Sequence, residues 1–212
     1  MSIFELLLLA MALGTVIAFV TIVIGMLRRQ WIFVRQLLGS LLFVWILYLT
    51  VGAIIAISTP QRIVAIGSER CFDEMCFSVT GFRRAPRIEG GGSVTLAHGI
   101  FYILDVRVSS KSLGRSQHET GRKAMLIDAG GHVYDLSAEG MRALRNVEGP
   151  SPSLDSDLQP GESVLAKLVF DLPKDVKRPV FTLGSSLLIY PPRIVIADDM
   201  HFLHKPTIVP LD

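Results

Sequence analysis

Two continuous apolar runs open the chain. Residues 6–27 are 22 positions without a charge, and residues 37–57 are 21 more. At about 1.5 Å of rise per residue, each predicts a helix of roughly 32 Å, enough to cross a hydrocarbon layer of about 30 Å. After Thr59-Pro60 the pattern changes to alternation. Ile100, Tyr102, Leu104, Val106 and Val108 fall on one face of an extended segment, with Phe101, Ile103, Asp105, Arg107 and Ser109 on the other. A helix would scatter these positions around its circumference, so the segment reads as a strand. Val164, Ala166, Leu168 and Phe170 alternate in the same way between Gln159-Pro160-Gly161 and Leu172-Pro173, which supply turn chemistry at both ends.

Shorter strands are predicted at 75–82, 123–128, 132–136, 180–183, 186–190, 193–197 and 207–211. So many short strands point to a β-sandwich or barrel. Asp128-Ala129-Gly130-Gly131 offers a turn entry and glycines for positive φ, making 123–136 a hairpin. Ser137 is placed to cap a short helix reaching Asn146. Residues 148–160 read as a polar loop, 83–87 as a connection around Pro86, and the Gly-rich 89–93 as a flexible link. The organisation is therefore a transmembrane helical hairpin over 1–58, with spans at 6–27 and 37–57, followed by an all-β sandwich over 59–212.

Charge sharpens this division. Of 21 Lys and Arg and 19 Asp and Glu, only Glu5, Arg28, Arg29 and Arg35 precede residue 58. The rest balance to zero, which gives none of the basic surface that nucleic-acid binding requires. A composition that is 50% hydrophobic and only 19% charged excludes a disordered chain, and two cysteines exclude a disulfide-dense scaffold. Arg28, Arg29 and Arg35 lie between the spans with no acidic neighbour, so they determine topology by holding that stretch in the cytoplasm. Both termini and the whole β domain are then expected outside. A cleaved signal is disfavoured because Met1 to Glu5 carries no basic residue and the apolar run exceeds the usual 7–15 positions. Gly14, Ala18 and Gly25 in one span, and Gly39, Gly52, Ala53 and Ala56 in the other, allow close helix packing, with homo-oligomerisation left open.

Cys71 and Cys76 are separated by four residues. Were those four a hairpin loop, the cysteines would face each other at about 4.5–5.5 Å between Cα atoms, within disulfide range. An exported compartment favours the bond. Two thiols are too few for a closed zinc site, and the spacing is not that of a Cys-x-x-Cys redox pair. Asp198, His201 and His204 form the one histidine cluster. On a helix they would share a face and hold a divalent ion, whereas a spacing of three on a strand points the two imidazoles apart. The segment lies between strand-like runs, so an exposed loop is the first reading. No Gly-x-Ser-x-Gly, His-Glu-x-x-His or Ser-x-x-Lys motif is present, and Gly90 to Gly92 lacks the Lys-Ser/Thr of a phosphate loop. Arg83, Arg84 and Arg87 read first as a solvated connection, and second as a contact for anionic headgroups or an envelope polymer.

Three segments carry a family resemblance: Phe101-Tyr-Ile-Leu-Asp-Val-Arg-Val-Ser-Ser110, Leu126-Ile-Asp-Ala-Gly-Gly-His-Val-Tyr134 and Leu158-Gln-Pro-Gly-Glu-Ser-Val-Leu-Ala-Lys-Leu-Val-Phe-Asp-Leu-Pro173. Their order over roughly residues 70–205 resembles the immunoglobulin-like domain of uncharacterised bacterial secreted, lipid-anchored and membrane-anchored proteins. Ala166 stands where that family usually has Gly, and Ser109 or Ser110 where it has Asn. The resemblance implies an Ig-like sandwich in a periplasmic or otherwise extracytoplasmic location, and with the two spans the chain is expected to be a multi-pass protein of the bacterial inner membrane. That family has no agreed catalytic activity. The expected function is non-enzymatic and without cofactor: binding a membrane-proximal protein or polymer partner, or serving as an accessory subunit. The rival reading is a metal-binding or hydrolytic domain built on Asp198, His201 and His204.

Overall fold

The computed structural model describes residues 3–72, 74–90, 92–119, 121–185 and 205–211. The chain divides at Pro60 and Gln61. The N-terminal unit contains helices α1 (Ile3–Leu27) and α2 (Trp31–Ser58), both long and apolar enough to cross a membrane. α2 begins six residues before the predicted span because three residues suffice to reverse the chain. Arg29 adopts φ 57°, its N–H donates to Met26 O at 3.0 Å, and Gln30 N–H donates to Gly25 O at 2.9 Å. This paired closure ends a helix within two residues. Arg35 consequently lies within α2, while Arg28 and Arg29 occupy the turn.

Along the helix seam, Ile22 and Gly25 of α1 and Val34, Tyr48, Gly52 and Ala56 of α2 are buried. Inside it the Trp45 indole N–H donates to Thr15 Oγ1 at 3.1 Å, and the Thr15 hydroxyl donates to Met11 O at 2.7 Å. Gly14 and Gly39, expected at the contact, instead face outward with open space around them. The seam follows positions spaced three and four apart through Thr15 and Ala18, and both glycines fall off that stripe.

In the second unit the strands form two antiparallel four-stranded sheets. The first has the order β1 (Arg70–Phe72), β2 (Met75–Gly90), β3 (Ser93–Ser110), β6 (Ser163–Leu172). The second has the order β5 (Val133–Tyr134), β4 (Arg122–Ile127), β7 (Val180–Ser185), β8 (Val209–Pro210). The main core lies between them, joining Leu104, Val106 and Phe170 of the first sheet to Leu126 and Phe181 of the second and to Leu211. The opposite face of β3 is also buried at Phe101 and Ile103, because helix α3 (Ala138–Glu148) covers it. Alternation is therefore lost to two-sided burial at 101–104. Ser137 caps α3 as expected, accepting from Gly140 N–H at 3.1 Å. The helix can sit this low because Gly140 has no Cβ: one added there would lie 2.5 Å from Val169.

β2 and β3 are longer than predicted. Residues 83–87 belong to β2, and β2 and β3 are joined as a hairpin, with Gly90 paired to Ser93 and Gly92 at φ 79°. Pro86, which cannot donate to a ladder, is accommodated by a break in register: Ala85 pairs with Phe101 and Arg87 with Leu96, so residues 97–100 of β3 face the single Pro86. The predicted 123–136 hairpin forms, although β5 is only two residues long. Thr207 to Leu211 yields the short β8, and Ile208 also forms a parallel bridge with Ile63. Val64 N–H donates to Ile208 O and Ile208 N–H to Arg62 O, both at 3.0 Å. The segment directly after Pro60 is thus fastened to the edge of the second sheet. The strand expectations at 186–190 and 193–197 lie outside the described residues.

Candidate functional site

The break opposite Pro86 deprives β3 of its neighbour at His98 and Gly99, and their amides must find another acceptor. Asp171, near the end of β6, supplies it. Its carboxylate accepts from His98 N–H at 2.9 Å, from Gly99 N–H at 3.1 Å and from His98 Nδ1 at 3.0 Å. Burial raises the Asp171 carboxyl, but the two amides and the imidazole outweigh it and hold the group below its ordinary value. Because the ionised carboxylate can only accept, Nδ1 is the ring nitrogen that donates to it. His98 is 88% exposed, whereas Asp171 is only 13% exposed. Gly99 permits the close approach of β3 to β6, since a Cβ there would meet Leu172 O at 1.9 Å.

His98, Gly99 and Asp171 line an open cavity of 400 Å³ together with Asp135, Ser137 and Pro173. Asp135 pairs with Lys123 at 2.8 Å, and the Ser137 oxygen is the α3 cap. What the cavity presents is an imidazole tied to the Asp171 carboxylate, with the Asp135 carboxylate in the same lining, suited to hydrogen-bonding a polar ligand. Neither His98 nor Asp171 was singled out from the sequence. The available signal was Pro86 inside an otherwise strand-like stretch, which demands a bulge and a surrogate acceptor.

A second polar cluster lies beside α3. Glu148 pairs with both Lys167 and Arg83, and those partners, Lys167 foremost, keep its carboxyl below the ordinary range against the opposing effect of burial. Asp105 approaches Lys167 at 3.8 Å. The adjoining cavity of 170 Å³ has Met141 and Leu144 as its apolar floor. Arg83, Arg84 and Arg87, read first as a solvated connection and second as an anion contact, each have a partner within the domain. Arg83 pairs with Glu148 and Arg87 with Glu89, while Arg84 lies over the rings of Tyr102 and Phe82 and donates to Leu211 O at 3.1 Å. They belong to a strand rather than to a solvated connection.

Cys71 and Cys76 are joined by a disulfide between direct register partners, with Cα atoms 3.8 Å apart. Phe72 pairs with Met75, so the four residues expected to loop are partly strand, and the cysteines come closer than the expected spacing. Beside the bridge Glu69 accepts from Lys111 and from Ser109 Oγ, the latter at 2.9 Å; Lys111 first, then Ser109, lower its carboxyl. Arg28, Arg29 and Arg35 lie at the helix turn and in α2, as described above. Asp198, His201 and His204 fall outside the described residues.

No family model matches the chain, and no curated protein matches it. Among solved structures it is similar to a conserved hypothetical protein from Bacillus anthracis, with TM-score 0.47 and 11% identity over 57% of this chain and 89% of that one. It is also similar to an uncharacterized β-sandwich protein from Clostridium difficile 630, with TM-score 0.46 and 10% identity over 73% and 97% of the two chains. A third is the secreted protein MPT63 from Mycobacterium tuberculosis, with TM-score 0.45 and 13% identity over 73% and 100%.

Proposed function

We propose that this chain is a multi-pass protein of the bacterial inner membrane whose Ig-like domain stands outside the cytoplasm. It works without catalysis, by binding a membrane-proximal protein or polymer or as an accessory subunit. The observation that carries the reading is the pairing of two long apolar helices, reversed at Arg28 and Arg29, with a sandwich that begins directly at Gln61. Leu9, Leu13, Phe19, Phe43 and Ile54 are among the large apolar side chains that the helices leave exposed, a surface matched to lipid rather than water. The positive turn favours the cytoplasm for Arg28, Arg29 and Arg35, and the even number of spans then favours the far side for the sandwich.

Strand order supports the Ig-like assignment. β2-β3-β6 corresponds to the A-B-E order of that fold and β5-β4-β7-β8 to C′-C-F-G, with β1 added at the edge. Binding is favoured over catalysis because the polar groups of the His98 cavity have structural duties. Asp171 closes the bulge amides, and the Ser137 oxygen caps a helix.

Compartment is tested with an amine reagent that cannot cross membranes. All lysines lie beyond residue 110, after both helices, and two spans place the N-terminal amine on the same side, so labelling reports on the side that residues 59–212 occupy. Labelling in intact spheroplasts is the expected result, and labelling only after permeabilisation refutes the orientation. Photo-crosslinking from position 98 in the membrane tests the binding role: a discrete adduct with an envelope component is expected, and its absence across growth conditions refutes the use of this cavity.

A further inference from the structure

The disulfide hairpin brings a third donor beside the two sulfurs. One carboxylate oxygen of Glu69 and the sulfurs of Cys71 and Cys76 all lie within 4.8 Å of one another. In a tetrahedral site with metal–sulfur bonds of about 2.3 Å and metal–oxygen bonds of about 2.0–2.2 Å, ligand atoms stand roughly 3.5–3.8 Å apart. The three ligand atoms are therefore already gathered, the two sulfurs part toward that spacing once their bond is broken, and the hairpin that carries them is formed by β1 and β2. Their ladder is independent of the sulfur bond: Arg70 pairs with Phe77 and Phe72 with Met75 on either side of the cysteines.

We propose that reduction of the Cys71–Cys76 disulfide converts this hairpin into a binding site for one thiophilic divalent cation, with Glu69 as the third protein ligand. The cystine takes two electrons and two protons from a dithiol, which becomes a disulfide. The cation then displaces the two thiol protons and binds both thiolates and the carboxylate. Two thiolates and a carboxylate select zinc, cobalt or cadmium over magnesium or calcium. Three protein ligands leave the fourth position to water, the open kind of site. Ser109 and Lys111 hold Glu69 in place, one on each carboxylate oxygen, and each oxygen keeps a second lone pair for the metal. The same residues thus have two exclusive states, a cystine without metal and a dithiolate with it.

The test uses the full chain in detergent micelles, reduced with a phosphine under anaerobic conditions, freed of reductant and titrated with Co²⁺. One equivalent should bind with intense sulfur-to-cobalt charge-transfer absorption, which a histidine and carboxylate site does not produce. The oxidised chain and Cys71→Ser/Cys76→Ser should lack that absorption. Glu69→Gln should bind about tenfold or more weakly, consistent with loss of a ligand, while its thiol titre is unchanged. Reduced wild-type protein without sulfur-to-cobalt absorption overturns the proposal, as does a Glu69→Gln affinity equal to wild type. If Glu69→Gln loses its strand signal in circular dichroism, Glu69→Asp takes its place, and the wild-type titration decides by itself whether the site exists.

Discussion

Asp171→Asn isolates the consequence of the break at Pro86. The native carboxylate closes two backbone amides and one imidazole nitrogen, and it is only 13% exposed. Hydrogen bonds to a charged acceptor contribute about 1.5–3 kcal/mol each, against about 0.5–1.5 for neutral pairs. Asparagine keeps one acceptor oxygen and turns a donor toward the partners of the other, so at least one of the three bonds is lost and the rest are weakened. The expected destabilisation is about 2–3 kcal/mol, which for a unit of this size lowers its melting temperature by roughly 4–12 °C. Urea titration of the full chain in a mild detergent, followed in the strand band of circular dichroism, measures the loss. Hydrogen exchange at His98 and Gly99 localises it. The pH dependence supplies the sign. Asp171 titrates below its ordinary value in the folded state, so its contribution is fully present above the unfolded carboxyl value of about 3.9 and disappears as pH falls through the folded one. The gap between wild type and variant should be full at about pH 6 and close in acid below about pH 4. A gap under about 0.5 kcal/mol, or one indifferent to acid, refutes the assignment of Asp171 as the bulge acceptor.

Other substitutions test neighbouring steps. Gly99→Ala places a Cβ at 1.9 Å from Leu172 O and should cost more than about 3 kcal/mol, read as failure to accumulate folded protein or a collapse of melting temperature. Ser137→Ala removes the α3 cap and should cost about 1 kcal/mol in urea titration, with faster exchange confined to the first turn of that helix. Leu104→Ala, fully buried between the sheets, should cost about 2–5 kcal/mol by the same titration without moving the helix signal. Thr15→Val deletes the acceptor for Trp45 and should weaken hairpin pairing by about 0.6 kcal/mol, measured by steric-trap or force unfolding in bilayers.

Much of the architecture follows from periodicity. The uninterrupted apolar stretches locate α1 and α2, and alternation at 100–109 and 163–170 locates the two strands that carry most of the core. Periodicity fails where a local rule is overridden by a neighbour. Pro86 and the glycines at 90–92 read as breakers, yet β2 and β3 run through the first and are joined as a hairpin at the second, because a register break absorbs the missing amide. Arg35 reads as part of a connection, yet a turn closed by Arg29 leaves it helical. The His98 cavity was illegible for a related reason: Asp171 and His98 are 73 positions apart and meet only because β3 and β6 are neighbours. Glu69 is close in sequence to the cysteines, but its approach to both sulfurs depends on β1 folding back at once onto β2.

The fastening of residues 61–64 to 206–208 bears on when this protein matures. Gln61 Nε2 reaches Pro206 O across 145 positions, and Leu211, wholly buried, also anchors to Pro179 and Arg84. A chain delivered across a bilayer from its N-terminal side would expose the early edge of the second sheet long before its mate emerges. Closure would then wait for residues 206–211 to emerge, and pairings this remote form slowly. Until then the half-made sheets would be the state most in need of a chaperone and most vulnerable to proteases.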